Sequence, residues 1–152
     1  RRGYKNFEGF VKAFSQSEFL KKNFKIMIVG GEKFGKEDFE VIKKNGLRLD
    51  HISLANEYST NLKYIYSNVA LMIYPSFYEG FGLPILEAMS CGCPVLCSNG
   101  GSLPEVAGSE NLFFNPSDIE QMTSSILSLV TSDELQKKII KLRRLETSTS
   151  VM

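Results

Sequence analysis

The stretch SFYEGFGLPILEAMSCGCP, Ser76 to Pro94, carries two carboxylates, Glu79 and Glu87, eight positions apart. Glu87 is the only charged side chain between Gly80 and Pro104. On a helix it falls on the side of Leu83, Pro84 and Cys91, away from Ile85, Ala88 and Met89. A carboxylate in apolar surroundings loses hydration and needs partners, and the paired hydroxyls of a ribose would supply them. The alternative is an acid that caps backbone amides or reaches solvent, since acidic residues in first turns are ordinary. Between the two glutamates, EGFGLP sets Gly80 and Gly82 directly before a helix start. Backbone N–H groups there are unobstructed, and such a helix end attracts anions and sugar oxygens.

Other residues supply or exclude chemistry around this loop. RRGYKN offers Arg1, Arg2 and Lys5 ahead of the first helix, the cations a diphosphate would need, although a solvated basic end has the same composition. VGGEKFG after an apolar run resembles a dinucleotide turn but has Glu32 where the G-x-G-x-x-G spacing fails, so it reads as a turn. His51 is the only histidine, and no Ser or Asp pairs with it in a recognisable motif, which favours a packing or strand-end role. Cys91, Cys93 and Cys97 are too few ligands for a structural zinc site and read as small buried hydrophobes. There is no Asp-x-Asp pair to hold a divalent ion against phosphates.

The elements that must position these groups alternate in type. Phe7, Phe10, Val11 and Phe14 have helical spacing, predicting a helix over 5–20. KIMIVGG reads as a strand buried on both faces, and a polar helix over 36–45 stops at Gly46. LRLDHISL alternates as a second strand, and Leu62, Ile65, Tyr66 and Val69 mark a helix. VALMIYP gives a third buried strand. A helix over 83–91, with Pro84 in its first turn, leads to the strand PVLCS, the short helix SLPEVAG and the strand NLFF. Ile119, Met122, Ile126 and Leu129 mark one last helix, and Leu135, Ile139 and Leu142 another. The pattern implies βαβ units: an α/β, Rossmann-like fold with a parallel sheet flanked by helices. Ligands in such folds bind at the carboxyl ends of the strands, where the loop after Tyr74 lies.

With 152 residues, 43% of them hydrophobic, the chain suits one domain, taken here as 1–145 followed by a polar tail, 146–152. A net charge of +1 gives no bulk reason to expect nucleic acid or an acidic membrane as main partner. No apolar run approaches the ~18 residues of a membrane span, and RRGYKNFEGF has no signal-peptide apolar core, so a soluble, cytoplasmic protein is expected.

The run YPSFYEGFGLPILEAMSCGCPVLCSNGGSLPEVAG resembles the C-terminal, donor-binding domain of GT-B-fold retaining glycosyltransferases of family 4, the group 1 family, including its E-x7-E motif as Glu79 and Glu87. RRGYKNF is similar to that family's Arg and Lys phosphate segment. The resemblance implies that Lys5 and one of the two arginines, Arg1 ahead of Arg2, neutralise a donor diphosphate and that Glu79 lies beside the donor sugar. It implies also that Gly80, Phe81, Gly82 and Leu83 contact sugar or phosphate oxygens, and that Glu87 holds the ribose. It implies no cofactor and no metal, with a nucleotide diphosphate sugar as substrate. The family's acceptor domain and the first strand of its donor domain are expected ahead of Arg1. The acceptor would be a saccharide or glycolipid, which leaves room for peripheral membrane association of the full enzyme. HISLANEYSTN lacks the usual Ser-Asp step of the base-binding loop. A non-catalytic nucleotide-sugar-binding module and a nucleotide-sugar epimerase share the architecture.

Overall fold

In the computed structural model, which describes residues 3–55, 61–108 and 113–138, a 3-10 turn at Gly3–Lys5 leads into α1, Phe7–Ser15. Phe7, Phe10, Val11 and Phe14 are buried, as their spacing requires. The single helix expected over 5–20 is two helices. Ser17 is extended and its side chain accepts a hydrogen bond from the Leu20 amide, which starts α2, Glu18–Asn23. A serine side chain caps a helix start better than it serves a helix interior.

β1, Ile26–Val29, pairs in parallel with β2, Ile52–Ala55, Ile26 opposite Ile52. Between them runs α3, Lys36–Lys44, which ends where expected. Gly46 has φ 70°, its amide reaches Lys43 O at 3.0 Å, and the Leu47 amide reaches Ile42 O at 3.1 Å. These are the two bonds of a glycine-terminated helix. A 3-10 turn at Leu49–His51 takes the first half of LRLDHISL, so the second strand is shorter than its alternation suggests. His51 Nδ1 accepts from the Arg48 amide at 3.2 Å, a local turn role that agrees with the reading of this histidine as structural.

α4, Leu62–Asn68, is capped by the Asn61 side chain and leads to β3, Met72–Tyr74. Then follow α5, Leu83–Ser90, β4, Val95–Ser98, α6, Leu103–Ala107, β5, Phe113–Phe114, and α7, Ile119–Val130. Residues 133–138 are helical, whereas Ile139, Leu142 and the expected tail over 146–152 fall outside the described residues.

The single expected sheet is divided. β1 and β2 form one parallel sheet, and β3, β4 and β5, in that order, form another. Among the described residues β1 and β3 each have a partner strand on one side only. Neither is fully buried: Met27 is 48% exposed and all of β3 is half-buried, while every residue of β4 is buried. Only the strand with neighbours on both sides meets that expectation, because the apolar runs in β1 and β3 outlast their actual coverage.

Two apolar clusters hold the layers. Phe7, Phe10 and Phe14 of α1 join Ile26, Leu96, Phe114, Met122 and Ile126, and Thr123 Oγ1 donates to Ala13 O at 3.0 Å across the α1–α7 seam. Tyr66, Ile85, Ala88, Val95, Cys97 and Leu103 form the other. Cys93 and Cys97 are buried as the sequence reading expects, and burial pushes the Cys97 thiol up to about 12. Among the described residues no helix is long and apolar enough to cross a membrane. Phe114 is 1% exposed and belongs to the cluster that also holds the buried faces of α1 and α7. Phe114→Ala should cost about 3–5 kcal/mol in urea denaturation, the usual loss for a buried phenylalanine.

Candidate functional site

The loop from Pro75 to Gly82 leaves the carboxyl end of β3 and enters α5. It lies at the carboxyl end of β3, an outer strand of the three-stranded sheet among the described residues. Open α/β sheets bind ligands at such a point. The loop is fixed from three sides. Ser76 is buried at the strand end, its carbonyl accepts from the buried Ser98 hydroxyl, and its own hydroxyl donates to Glu79 Oε1 at 2.8 Å. The Phe77 amide donates to Tyr4 O at 2.6 Å, tying the loop to the turn before α1. Ser102, opening α6, donates its hydroxyl to Gly80 O at 2.8 Å and its amide to Glu79 O at 3.3 Å.

Two glycines let this third side come close. A Cβ on Gly100 would sit 2.2 Å from Phe77 O, and one on Gly101 would sit 2.4 Å from Glu79 O. Both obstacles are backbone atoms of the loop itself, so no side-chain rotation relieves them. NGGS after the fourth strand is therefore a backing plate for the loop that carries Glu79.

Lys5 and Glu79 meet at its centre. Lys5 Nζ lies 2.6 Å from Glu79 Oε1 and donates to Tyr74 OH at 3.2 Å, with the Tyr4 and Tyr74 ring centroids 5.0 and 5.2 Å away. The geometry brings the expected phosphate-segment cation onto the expected sugar-side carboxylate. Burial works to lower the Lys5 pKa, but hydrogen bonds to Glu79 and Tyr74 outweigh it and the ammonium is held above its ordinary value. Burial raises the Tyr74 phenol, against the opposing effect of Lys5. At neutral pH Lys5 is an ammonium beside a neutral Tyr74 phenol.

The helix start is built as its sequence suggests. Gly82 is the N-cap of α5 with φ 80°, and no side chain caps it. A Cβ there would also meet Leu103 Cδ2 at 2.8 Å, so both conformation and space call for glycine. Pro84 lies in the first turn. Gly80, Phe81 and Leu83 face solvent around this end, with Phe81 56% and Leu83 60% exposed.

Glu87 corrects one expectation. Ile85 and Ala88 form the buried face of α5, but Glu87 is exposed, so its carboxylate is hydrated and not enclosed by apolar neighbours. Met89, expected on the buried face, is 42% exposed. α5 covers the second cluster with one narrow stripe, and the rest of the apolar run is surface. Glu87 lies near enough to the Tyr66 phenol that, after burial, its charge helps push that group up to about 12. Arg1 and residues 56–60 of the loosely matched base loop lie outside the described residues. Sequence reasoning did not single out Tyr74, Ser76, Ser98, Gly100, Gly101 or Ser102. The Gly-Gly pair between two serines after a buried strand was the available signal.

Parallel strands flanked by helices, with a cation and a carboxylate beside a helix N-terminus at the carboxyl end of a strand, define a Rossmann-like domain suited to a phosphorylated ligand. The chain belongs to the glycosyl transferases group 1 family, which it matches over residues 1–145. It is 53% identical over 73 residues to the O-antigen chain mannosyltransferase B of Escherichia coli, covering 48% of this chain and 19% of that protein. It is 29% identical over 127 residues to the O-antigen chain mannosyltransferase RfbU of Salmonella typhimurium, covering 83% of this chain and 35% of that protein. Anabaena HepE in complex with UDP-glucose superposes with a TM-score of 0.74 at 20% identity, covering 89% of this chain and 38% of that one. The chain thus spans well under half the length of these relatives.

Gly100→Ala should displace Phe77 and with it Glu79. Overpacking of this kind should cost about 1–3 kcal/mol in urea denaturation and should weaken binding of a nucleoside diphosphate measured by calorimetry.

Proposed function

We propose that this chain is the donor half of a retaining hexosyltransferase that moves a mannosyl group from a nucleoside diphosphate sugar to a saccharide or lipid-linked acceptor on the cytoplasmic side. The observation that carries the reading is the Lys5–Glu79 pair at 2.6 Å beside the Gly82 helix start. The names of the E. coli and Salmonella relatives support mannose as the sugar.

Each group has a task in this chemistry. Departure of the nucleoside diphosphate leaves negative charge on its terminal phosphate. Lys5, Arg1 and the amides around Phe81, Gly82 and Leu83 stabilise that charge, which is the work a divalent ion does in other transferases. Glu79 stands at the sugar side, anchored by Ser76, and Glu87 meets the ribose hydroxyls from an exposed position on α5. Substitution on the front face, with the leaving phosphate taking the acceptor proton, preserves the configuration of the sugar. The acceptor is held by a part of the enzyme outside this chain, and holding it within near-attack distance is worth about 7–11 kcal/mol of barrier. The isolated chain should therefore bind donor and transfer nothing.

Calorimetry with GDP-mannose and UDP-glucose, each with and without chelator, tests the donor site. Binding should survive chelation, and affinity that vanishes with the metal would overturn the metal-independent mechanism.

The two glutamates should fail differently. Glu87→Ala should weaken binding of nucleoside diphosphate and of its sugar alike by about 1–3 kcal/mol, the worth of a charged hydrogen-bond partner. Glu79→Ala should leave diphosphate affinity nearly intact and lower turnover in the intact enzyme. Equal losses of nucleotide affinity would show that the assigned roles are wrong.

A further inference from the structure

We propose that Tyr74 is a positioning residue for Lys5, its hydroxyl and ring fixing the ammonium against Glu79 so that one N–H remains for the departing phosphate. The inference rests on the donor-site reading above.

A lysine ammonium has three N–H donors on a flexible four-carbon stem. One is taken by Glu79 Oε1 at 2.6 Å and one by Tyr74 OH at 3.2 Å. One is left. The stem alone would not hold the charge in one place, because Lys5 ends a three-residue turn and its side chain is 37% exposed. Two aromatic rings supply the missing restraint, their centroids 5.0 and 5.2 Å from Nζ. The two differ in rigidity. Tyr4 is 55% exposed in the same turn, whereas Tyr74 is the last residue of β3, half-buried, in register with Cys97 of β4. A group at a paired strand position is the fixed point, and Tyr4 follows the turn.

Glu79 cannot perform this task alone. Its Oε1 already accepts from both Ser76 and Lys5, and the donor-site reading gives it the sugar side of the site. When a diphosphate draws on Lys5, a second anchor keeps the ammonium from leaving the carboxylate for the phosphate. The phenol provides that anchor without adding charge. Its interaction with both Lys5 and Glu79 makes the three side chains one unit.

A residue that merely fills space at the end of β3 would behave differently from one acting through Lys5, and a double-mutant cycle separates the two. The intact enzyme, Tyr74→Phe, Lys5→Ala and the double variant are compared for transfer from GDP-mannose, with kcat and donor KM measured for each. Tyr74→Phe retains the ring and removes the hydroxyl. It should lower kcat about tenfold while donor KM changes less than about threefold, because what is lost is alignment at the transition state. On the Lys5→Ala background the same change should cost no more than about twofold, since residues acting as a unit are not additive. An equal loss on both backgrounds, or an unchanged kcat, overturns the proposal.

A second measurement needs no turnover. Acetylation of Lys5 by acetic anhydride in the unliganded protein, followed by peptide mass spectrometry, should run severalfold faster in Tyr74→Phe than in the wild type. An unchanged rate overturns the anchoring role. A wild-type enzyme that transfers sugar from no donor would sink the functional reading instead, and the acetylation rate would then decide the role of Tyr74 by itself.

Discussion

The contact between Lys5 and Glu79 joins positions 74 residues apart and makes a site out of two unrelated pieces of chain. Its value lies in geometry more than in stability. Side-chain exposures of 37% and 13% leave the pair screened by solvent, and ion pairs near water contribute little to folding. Everything around it is arranged so that the two ends arrive in the same place. Ser76 fixes one carboxylate oxygen, and Tyr4 fixes the loop backbone through Phe77. Asn6, buried in the left-handed region at φ 53°, turns the chain from the lysine into α1 and donates its side-chain amide to Pro116 O at 2.8 Å. Asparagine is among the few residues that accept that conformation readily.

The close approach of NGGS to the EGFG loop is the second constraint. Gly100 and Gly101 are both required by the position of the loop that carries Glu79. Gly82 differs because its positive φ and the Leu103 side chain both exclude a Cβ. Three glycines thus serve one carboxylate and one helix end through three separate packing conditions. The serines at 98 and 102 fill the hydrogen-bonding needs of backbone groups that such close packing removes from water.

Much of this was legible in the residues. Helical spacing located α1, α4 and α7 because each has a buried face. The glycine stop at Gly46 and the proline start at Pro84 located ends because their backbone demands are local. The loop and its two glutamates were visible as an interruption in an apolar run. What failed depended on distant partners. Whether an apolar run is covered is decided by the strands and helices that pack around it, so β1 and β3 looked more buried than they are. Glu87 looked enclosed for the same reason, since the apolar residues flanking it are largely surface. Ser17 was a local signal, a cap in the middle of a helical period, overridden by the strength of that period. Tyr74 was indistinguishable from any strand-end aromatic until Lys5 was brought onto it.

The seam between α1 and α7 has a consequence for how the chain comes to be folded. Among its helical neighbours α1 packs most extensively on α7, and the Thr123 hydroxyl reaches back to Ala13. A chain made from its amino end exposes Phe7, Phe10 and Phe14 long before the residues that cover them exist. During synthesis this apolar face must wait for α7, and until then it is a surface a chaperone can cover. Contacts of such separation slow folding because loop closure precedes reward. The lysine that precedes α1 is therefore placed late, after α7 has closed over the helix. The binding site is finished only when the fold is, and a nascent chain that exposes Glu79 does not yet have a formed anion site.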